Sequence, residues 1–415
     1  MAKVVPLRGL RPKKEFVDKV ASPPYDVLDS DEARHRAAGN PYSFLHVIKP
    51  EIDLDPSIDP YNECVYQKGR ENLRRLIHER VLVQDEQPHF YVYKQTLGTH
   101  EQTGIFAGAS VPEYLNGRIK KHEHTQPEKV KDRIQLAKTL KAQTGPVFLT
   151  LRDTVGLAHI FQTVMAESDP VYNFIAGYDV RHTLWVVKDM ETNDKIQWAF
   201  RRVENLYIAD GHHRSETAAQ VFLDYQAKAG PEAANSEYAS YLAVLFPHTE
   251  LLILPYNRVI KDLNGLGRDE VMDKISASFI ITELAVDTFQ PTKPRTFGMY
   301  LDKKWFMLEF REVTYAPKDP VDDLDVTVLH RFLFEPVLHI ADQKTDDRVR
   351  FVGGMDGMEK MKQLVDNGEF MVAFALYPTE MEQVMQIADA SQVMPPKSTW
   401  FEPKLLSGLV THLLE

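Results

Sequence analysis

The sequence predicts a mixed fold, α/β through its middle and α+β toward its end, and three observations carry that prediction. Near-continuous apolar runs such as "TLWVVKD", "NLYIAD" and "YLAVLFP" read as strands covered on both faces. Stretches with helical periodicity and recognisable starts and stops alternate with them. The last 150 or so residues mix a hairpin with helices and a buried strand. With no internal repeat and no low-complexity linker, the parts are expected to pack into one body.

The elements follow in order. After the rigid Pro23-Pro24 pair, Asp29 or Ser30 is a fitting N-cap for a polar helix that ends before Asn40-Pro41. Leu73, Leu76 and Ile77 place an amphipathic helix in "VYQKGRENLRRLIHERVLVQDEQP", with Pro88 closing it off. "HFYVYKQTL" and "TGIFAGASVPEYL" read as strands around a turn at Gly98. A short strand, a loop at Thr125 to Pro127, a helix from about Glu128 to Gln143 and a strand at Val147 to Leu151 come next, with Gly145-Pro146 as the stop. "LLILPYNRVI" reads as a further strand. "TFGMYLDKKWFMLEF" is a hairpin turning at Asp302 to Lys304, "DVTVLHRFLFEPVLHI" and "MEKMKQLVDNG" are helices, and "EFMVAFALYP" is a buried strand.

At roughly 150 residues per domain, 415 residues suggest two or three units. The natural divisions are an N-terminal part over 1–85, a core over 86–265 and a C-terminal α+β part over 266–415. A hydrophobic content of 43% with 26% charged residues is that of a globular chain. The net charge of -11 argues against a nucleic-acid partner, which asks for a basic face. Cys64 is the only cysteine, which excludes an internal disulfide and cysteine-rich zinc sites. The first residues lack a signal-peptide core and no run of about 18 apolar residues occurs, so the expectation is a cytoplasmic protein without membrane contact.

The chemistry concentrates in "NLYIADGHHRSETAAQVF". An apolar run ends at Asp210, Gly211 permits a tight turn, and helix formers follow Arg214. Exposed N–H groups at a helix N-terminus favour an anion, and Arg214 adds a planar fork matched to phosphate or carboxylate. His212 and His213 can donate to phosphate oxygens. Asp210 is the carboxylate that could hold a metal or take a proton. The plainer alternative is that Asp210 caps the helix and the histidines pack locally. A zinc held by His212 and His213 alone is disfavoured, because adjacent residues point apart and no third ligand stands at helical spacing.

Two other stretches qualify. In "KKHEHTQPEKVKDR", an extended Lys120 to His124 would put His122 and His124 on one face and Glu123 on the other. Glu123 is then a candidate general base, and Lys121 or Arg133 an anion contact. A solvated charged loop is the alternative. In "MPPKSTWFEPKLLSGLVTHL", Lys397, Ser398 and Thr399 could hold a phosphate or small carboxylate, or the segment could simply dock through Trp400 and Phe401. "ASPPYDVL" is either a rigid turn or a loop that carries Tyr25 and Asp26 into a site. No P-loop, dinucleotide fingerprint, H-E-x-x-H or nucleophile elbow is present.

On "ASPPYDVL", "HEHTQPEKVKDRIQLAKTLKAQTGPVFL", "YIADGHHRSETA" and "MPPKSTWFEPKLLSGLV", the chain resembles over nearly its whole length a bacterial and archaeal family of unknown function, sometimes labelled ParB-like. "ADGHHR" is also similar to the nucleotide-binding turn of the ParB/sulfiredoxin superfamily, and the D-G-H-H-R form matches free-serine kinases. The resemblance implies a ParB/sulfiredoxin-like mixed core, with Asp210, His212, His213 and Arg214 around nucleotide phosphates, Mg²⁺ and a substrate hydroxyl. Sulfiredoxin's cysteine is histidine here, and no basic helix pair like that of the DNA-partition proteins is visible.

The function expected is transfer of phosphate from ATP or ADP to a small hydroxyl compound, free L-serine first, giving O-phosphoserine. Glu123, Asp210, His212 and His213 are the catalytic candidates, with Asp210 also the metal ligand for Mg²⁺. Gly211, His213, Arg214, Lys397, Ser398 and Thr399 would bind nucleotide or phosphate, and His122, Asp26 and Tyr25 the substrate. Asp26 is the second choice for the base. A nucleotide-binding or nucleotide-hydrolysing regulator without an acceptor is the rival, a DNA-associated protein the third reading. Homodimerisation is left open.

Overall fold

The computed structural model describes residues 2–152, 156–311 and 315–415, and they form two compact units. The first is Met1–Leu251 with Pro403–Glu415; the second is Leu252–Glu402.

The first unit is built on a nine-stranded mixed sheet. Its elements in chain order are β1 (Val4–Val5), α1 (Glu63–His78), β2 (Phe90–Leu97), β3 (His100–Ser110), β4 (Ile119–Lys120), α2 (Pro127–Leu140), β5 (Val147–Leu151), α3 (Leu157–Glu167), β6 (Tyr172–Ala176), β7 (Val180–Val187), α4 (Met190–Phe200), β8 (Leu206–Asp210), α5 (His212–Ala229) and β9 (Ser240–Pro247). The strand order is β4-β8-β5-β9-β3-β2-β7-β6, with β1 beside β3. Only β4 with β8 and β5 with β9 run parallel; the other neighbours are antiparallel. All eight residues of β9 are buried, as its uninterrupted apolar run requires. A core of Val92, Ile105, Leu149, Ile208, Phe222 and Leu245 joins the sheet to its helices. A second core packs Phe44, Leu45 and the apolar stripe of α1, Leu73 and Leu76, against Leu136 and Leu140 of α2.

Local signals set most boundaries. Asp29 caps the helix Ser30–Ala37 through a reciprocal capping box with Glu32. Gly98 takes a left-handed φ of +57° between β2 and β3. Other expectations shift. The α1 helix ends at His78, ten residues before Pro88, and Leu82–Gln84 forms a strand between them. "VPEYL" is a short helix, Val111–Leu115, with its proline in the first turn. The α2 helix starts at Pro127 and stops at Leu140, where Lys141 turns left-handed.

In the second unit, β10 (Asn257–Ile260), β11 (Phe279–Leu284), β12 (Thr296–Leu301), β13 (Lys304–Phe310), β14 (Val349–Val352) and β15 (Val372–Leu376) form a six-stranded antiparallel sheet in the order β11-β13-β12-β15-β10-β14. The β12–β13 hairpin turns at Asp302 and Lys303, both at positive φ. "LLILPYNRVI" is two strands, Leu252–Leu254 and β10, separated at Pro255. "DVTVLHRFLFEPVLHI" is helical only from Asp325 to Leu329, followed by one wider turn over His330–Phe334.

Candidate active site

The Asp-Gly-His-His-Arg segment joins β8 to α5, and each residue has a structural reason to stand where it does. Against β8, β5 pairs Leu149 with Ile208 and Phe148 with Asp210, so Ala209 is the extra residue of a bulge. A bulge re-aims the side chain that follows it, here Asp210 at the sheet's end. Gly211 sits at φ +101°, and a Cβ there would lie 2.9 Å from Nε of Arg214. The guanidinium therefore lies over the bare backbone of the turn. The helix starts at His212, so both histidines occupy its first turn.

Arg214 has a side-chain exposure of only 9%. Its Nη1 donates to the Pro146 carbonyl. Its Nη2 is 3.6 Å from Oδ1 of Asp210 and 3.8 Å from Oδ2 of Asp26, too far for hydrogen bonds. Nε and Nη2 are buried with no hydrogen-bond partner. Such unmet donors cost roughly 1–3 kcal/mol each in an apolar setting. Burial alone would lower the guanidinium pKa, but Asp26 and Asp210 outweigh it, so the charge stays.

Burial would raise the Asp210 carboxyl, yet Lys404 and Arg214 hold it well below the usual carboxylate range. Lys404 Nζ donates to Oδ2 at 3.4 Å. A carboxylate so depressed is a poor proton acceptor near neutrality, and suits holding a cation or orienting a hydroxyl.

Both histidines of the turn are held below their ordinary pKa. Burial, then His122, keeps His212 well below its ordinary pKa. Its Nε2 accepts from the His122 N–H at 3.3 Å, which leaves the proton on Nδ1, 3.6 Å from Oε2 of Glu123. His213 is lowered by burial and by Lys129, and its Nε2 accepts from the Gln126 N–H at 3.0 Å. Both rings are neutral donors near neutrality, so the positive charge of the turn comes from Arg214 and Lys404.

Strand β4 ends at Lys120, so Lys121 to His124 lie beyond it. His122 is buried edge-on against His212, with ring centroids 4.4 Å apart, while His124 is exposed; the two do not share a face. Glu123 is 50% exposed and reaches the turn through His212. Lys121 is engaged by Glu216 at 3.8 Å and by the Tyr114 ring. Tyr25 and Asp26 lie on the short turn Tyr25–Val27 after the proline pair. Asp26 meets Arg214, and Tyr25 lies under the Arg133 guanidinium, 4.3 Å from its ring centre.

Lys397, Ser398 and Thr399 belong to the second unit. There the Lys397 carbonyl accepts from Nη2 of Arg258 at 3.1 Å, and Ser398 Oγ donates to the Pro395 carbonyl at 2.6 Å. Lys404 is the residue that sequence reasoning missed. Its signal was only its place within "WFEPKLLSGLV".

An apolar cavity of about 60 Å³ lies beside Arg214, walled by Tyr25, Gly145, Val147, Thr217 and Tyr241. At roughly 10–15 Å³ per water-sized sphere it takes on the order of four to six heavy atoms, the size of a phosphoryl or carboxylate group. Among the described residues, no group of three or more His, Cys, Asp or Glu is placed to hold a metal alone. Asp210 and Asp26 offer one or two carboxylates, the usual protein share for a Mg²⁺ carried by phosphates.

A family model described as "Protein of unknown function (DUF1015)" matches residues 4–327. No curated protein matches the chain. Among solved structures it is similar to a free serine kinase in complex with AMP, at 14% identity over 72% of this chain and 86% of that one, with a TM-score of 0.34. It is similar to SbnI with C-terminal truncation from Staphylococcus aureus, at 9% identity over 74% and 86%, with a TM-score of 0.37. A conserved hypothetical protein from Pyrococcus furiosus follows at 13% identity over 72% and 90%, with a TM-score of 0.32. Likenesses at this level carry no argument about chemistry.

Proposed function

The chain belongs to the family described as "Protein of unknown function (DUF1015)", and from that premise we propose that it is a nucleotide-dependent phosphotransferase acting on a small hydroxyl compound. The single observation that carries the reading is Arg214: a charged guanidinium in the first turn of α5, nine-tenths buried, with two unmet nitrogens and a cavity of about 60 Å³ beside it. A buried fork of donors is stable when a planar or tetrahedral anion completes it.

In this reading ATP or ADP places its transferable phosphate against Arg214, the Gly211 turn and the first N–H groups of α5. Asp210 and Asp26 would hold a Mg²⁺ that accompanies the nucleotide, and the ion would supply charge neutralisation on the phosphates. The acceptor oxygen attacks phosphorus as the bond to the leaving phosphate oxygen breaks. Glu123 takes the hydroxyl proton, and the Nδ1–H of His212 orients its carboxylate. His122 and Tyr25 are proposed substrate contacts. Free L-serine as acceptor and a ParB/sulfiredoxin-like core rest on the resemblance of the D-G-H-H-R block, and a cytoplasmic setting rests on the single cysteine.

The test is phosphorus NMR of the purified chain with Mg²⁺ and ATP or ADP, with and without L-serine. A phosphoserine signal that disappears in Asp210→Ala supports the reading. Hydrolysis without phosphoserine would favour the regulator, and no nucleotide binding would end the proposal.

A further inference from the structure

Beside the Arg214 cavity runs a larger cleft of about 310 Å³, also within the first unit. Helices α1 and α2 contribute Tyr66 and Arg133 to it, and the Tyr25–Val27 turn adds Tyr25 and Asp26. Tyr25, Arg133 and Leu136 line both spaces, and Tyr25 and Arg133 stack on one another there. Two residues tie the cleft to the turn. Asp26 lies 3.8 Å from Arg214, and the charge of Lys129 bears on His213.

The charges lining the cleft cancel, Lys49, Lys129 and Arg133 standing against Asp26, Glu51 and Asp132. Lys49 meets Glu51 at 3.0 Å, Arg133 meets Asp132 at 2.5 Å, and Tyr66 donates to Asp132 at 3.0 Å. A cleft without surplus positive charge does not suit a polyphosphate chain. Its carboxylates suit hydroxyl and amino donors, and Tyr61, 60% exposed at its edge, offers a free aromatic surface. The volume falls at the lower end of small-molecule sites, large for a compact acceptor such as an amino acid and fitting for a base with its sugar.

We propose that this cleft receives the nucleoside half of the phosphate donor, with the base stacked on Tyr61 and the sugar hydroxyls toward Glu51 and Asp132. The proposal rests on the nucleotide reading of the Asp210–Arg214 turn. It places the nucleoside in the cleft and the phosphates at Arg214, and it requires the sugar–phosphate linkage to run past the Tyr25–Arg133 pair that borders both spaces.

The experiment is calorimetric titration of the full chain with ADP and, separately, with inorganic pyrophosphate, both with Mg²⁺, for wild type, Tyr61→Ala and Tyr61→Phe. The expected result is ADP at least tenfold tighter than pyrophosphate. Tyr61→Ala should lose about tenfold in ADP affinity, in line with stacking on an aromatic side chain, while pyrophosphate binding and the Tyr61→Phe variant hold. Equal affinity for ADP and pyrophosphate, or a Tyr61→Ala variant that binds ADP like wild type, overturns the cleft assignment and leaves the phosphate turn standing. Failure of both ligands to bind wild type overturns both.

Discussion

Arg214 and the histidines around it obey different rules, although they stand side by side. Arg214 keeps its charge because Asp26 and Asp210 flank it, so it can act on an anion at any working pH. Arg214→Ala is expected to lower turnover by roughly two to three orders of magnitude, as for other transition-state donors. Arg214→Lys should rescue little of it, since an ammonium cannot reproduce the fork. Steady-state kinetics of the two variants check this, and a wild-type rate in either sinks the assignment. The histidines are instead held neutral. Burial pushes His122 and His182 each down to about 4. In the unfolded chain both protonate near 6.5, so between these values the unfolded state binds more protons. Their contribution is complete above about 6.5 and is lost as pH falls toward 4, at about 1.4 kcal/mol per pH unit for each ring. Denaturant titrations at pH 7 and 5 should show a smaller loss for His182→Gln than for wild type. Identical losses would mean that the ring does not titrate there. The reactive types were legible at this scale, since D-G-H-H-R is contiguous. The charge states were not, because burial of His212 depends on His122, ninety residues earlier in the chain.

At the scale of elements, the strand-turn-helix from β8 to α5 depends on one backbone conformation. Gly211 combines a positive φ with the close approach of Arg214. Gly211→Ala should cost about 1–3 kcal/mol in strain. It should also displace the guanidinium, so phosphate-ligand binding falls more than stability alone explains. Chemical denaturation paired with pyrophosphate titration separates the two effects. Unchanged binding would show that the guanidinium does not need the bare turn. Turns and caps of this kind were readable, because Gly211, Gly98 and the Asp29 cap act through neighbours in sequence. The bulge at Ala209 was not readable, since it is defined only against β5, nearly sixty residues away. "VPEYL" misled for a related reason. Its apolar residues carry no strand-length pattern of their own, and Pro112 in the first turn suits a helix.

At the scale of the molecule, the first unit is completed by a segment that returns after the whole of the second. Residues Pro403–Glu415 bridge Ser22 through Ser407 and Leu10 through Thr411, and His412 and Leu413 pair with Gln143 and Ala142. Leu405, Leu406, Leu409, Val410 and Leu414 are buried along it. This closure also delivers Lys404 to Asp210, a pairing across 194 residues that no local pattern announces. The segment therefore has two separable roles. Burying each such apolar side chain is worth about 1.5–3 kcal/mol, so five of them rival the whole stability of a domain, about 5–15 kcal/mol. Deleting 403–415 should leave the first unit unable to fold, seen as loss of its cooperative unfolding transition. Lys404→Met keeps the length and the apolar contacts and removes one charge. It should leave the fold intact and raise the Asp210 pKa, since Lys404 is one of the charges that lower it. The acid limb of the pH–rate profile would then move upward, Asp210 losing its negative charge at a higher pH than in wild type. A Lys404→Met variant with an unmoved acid limb would show that Lys404 does not set the charge of Asp210, and that the returning segment serves only to close the core.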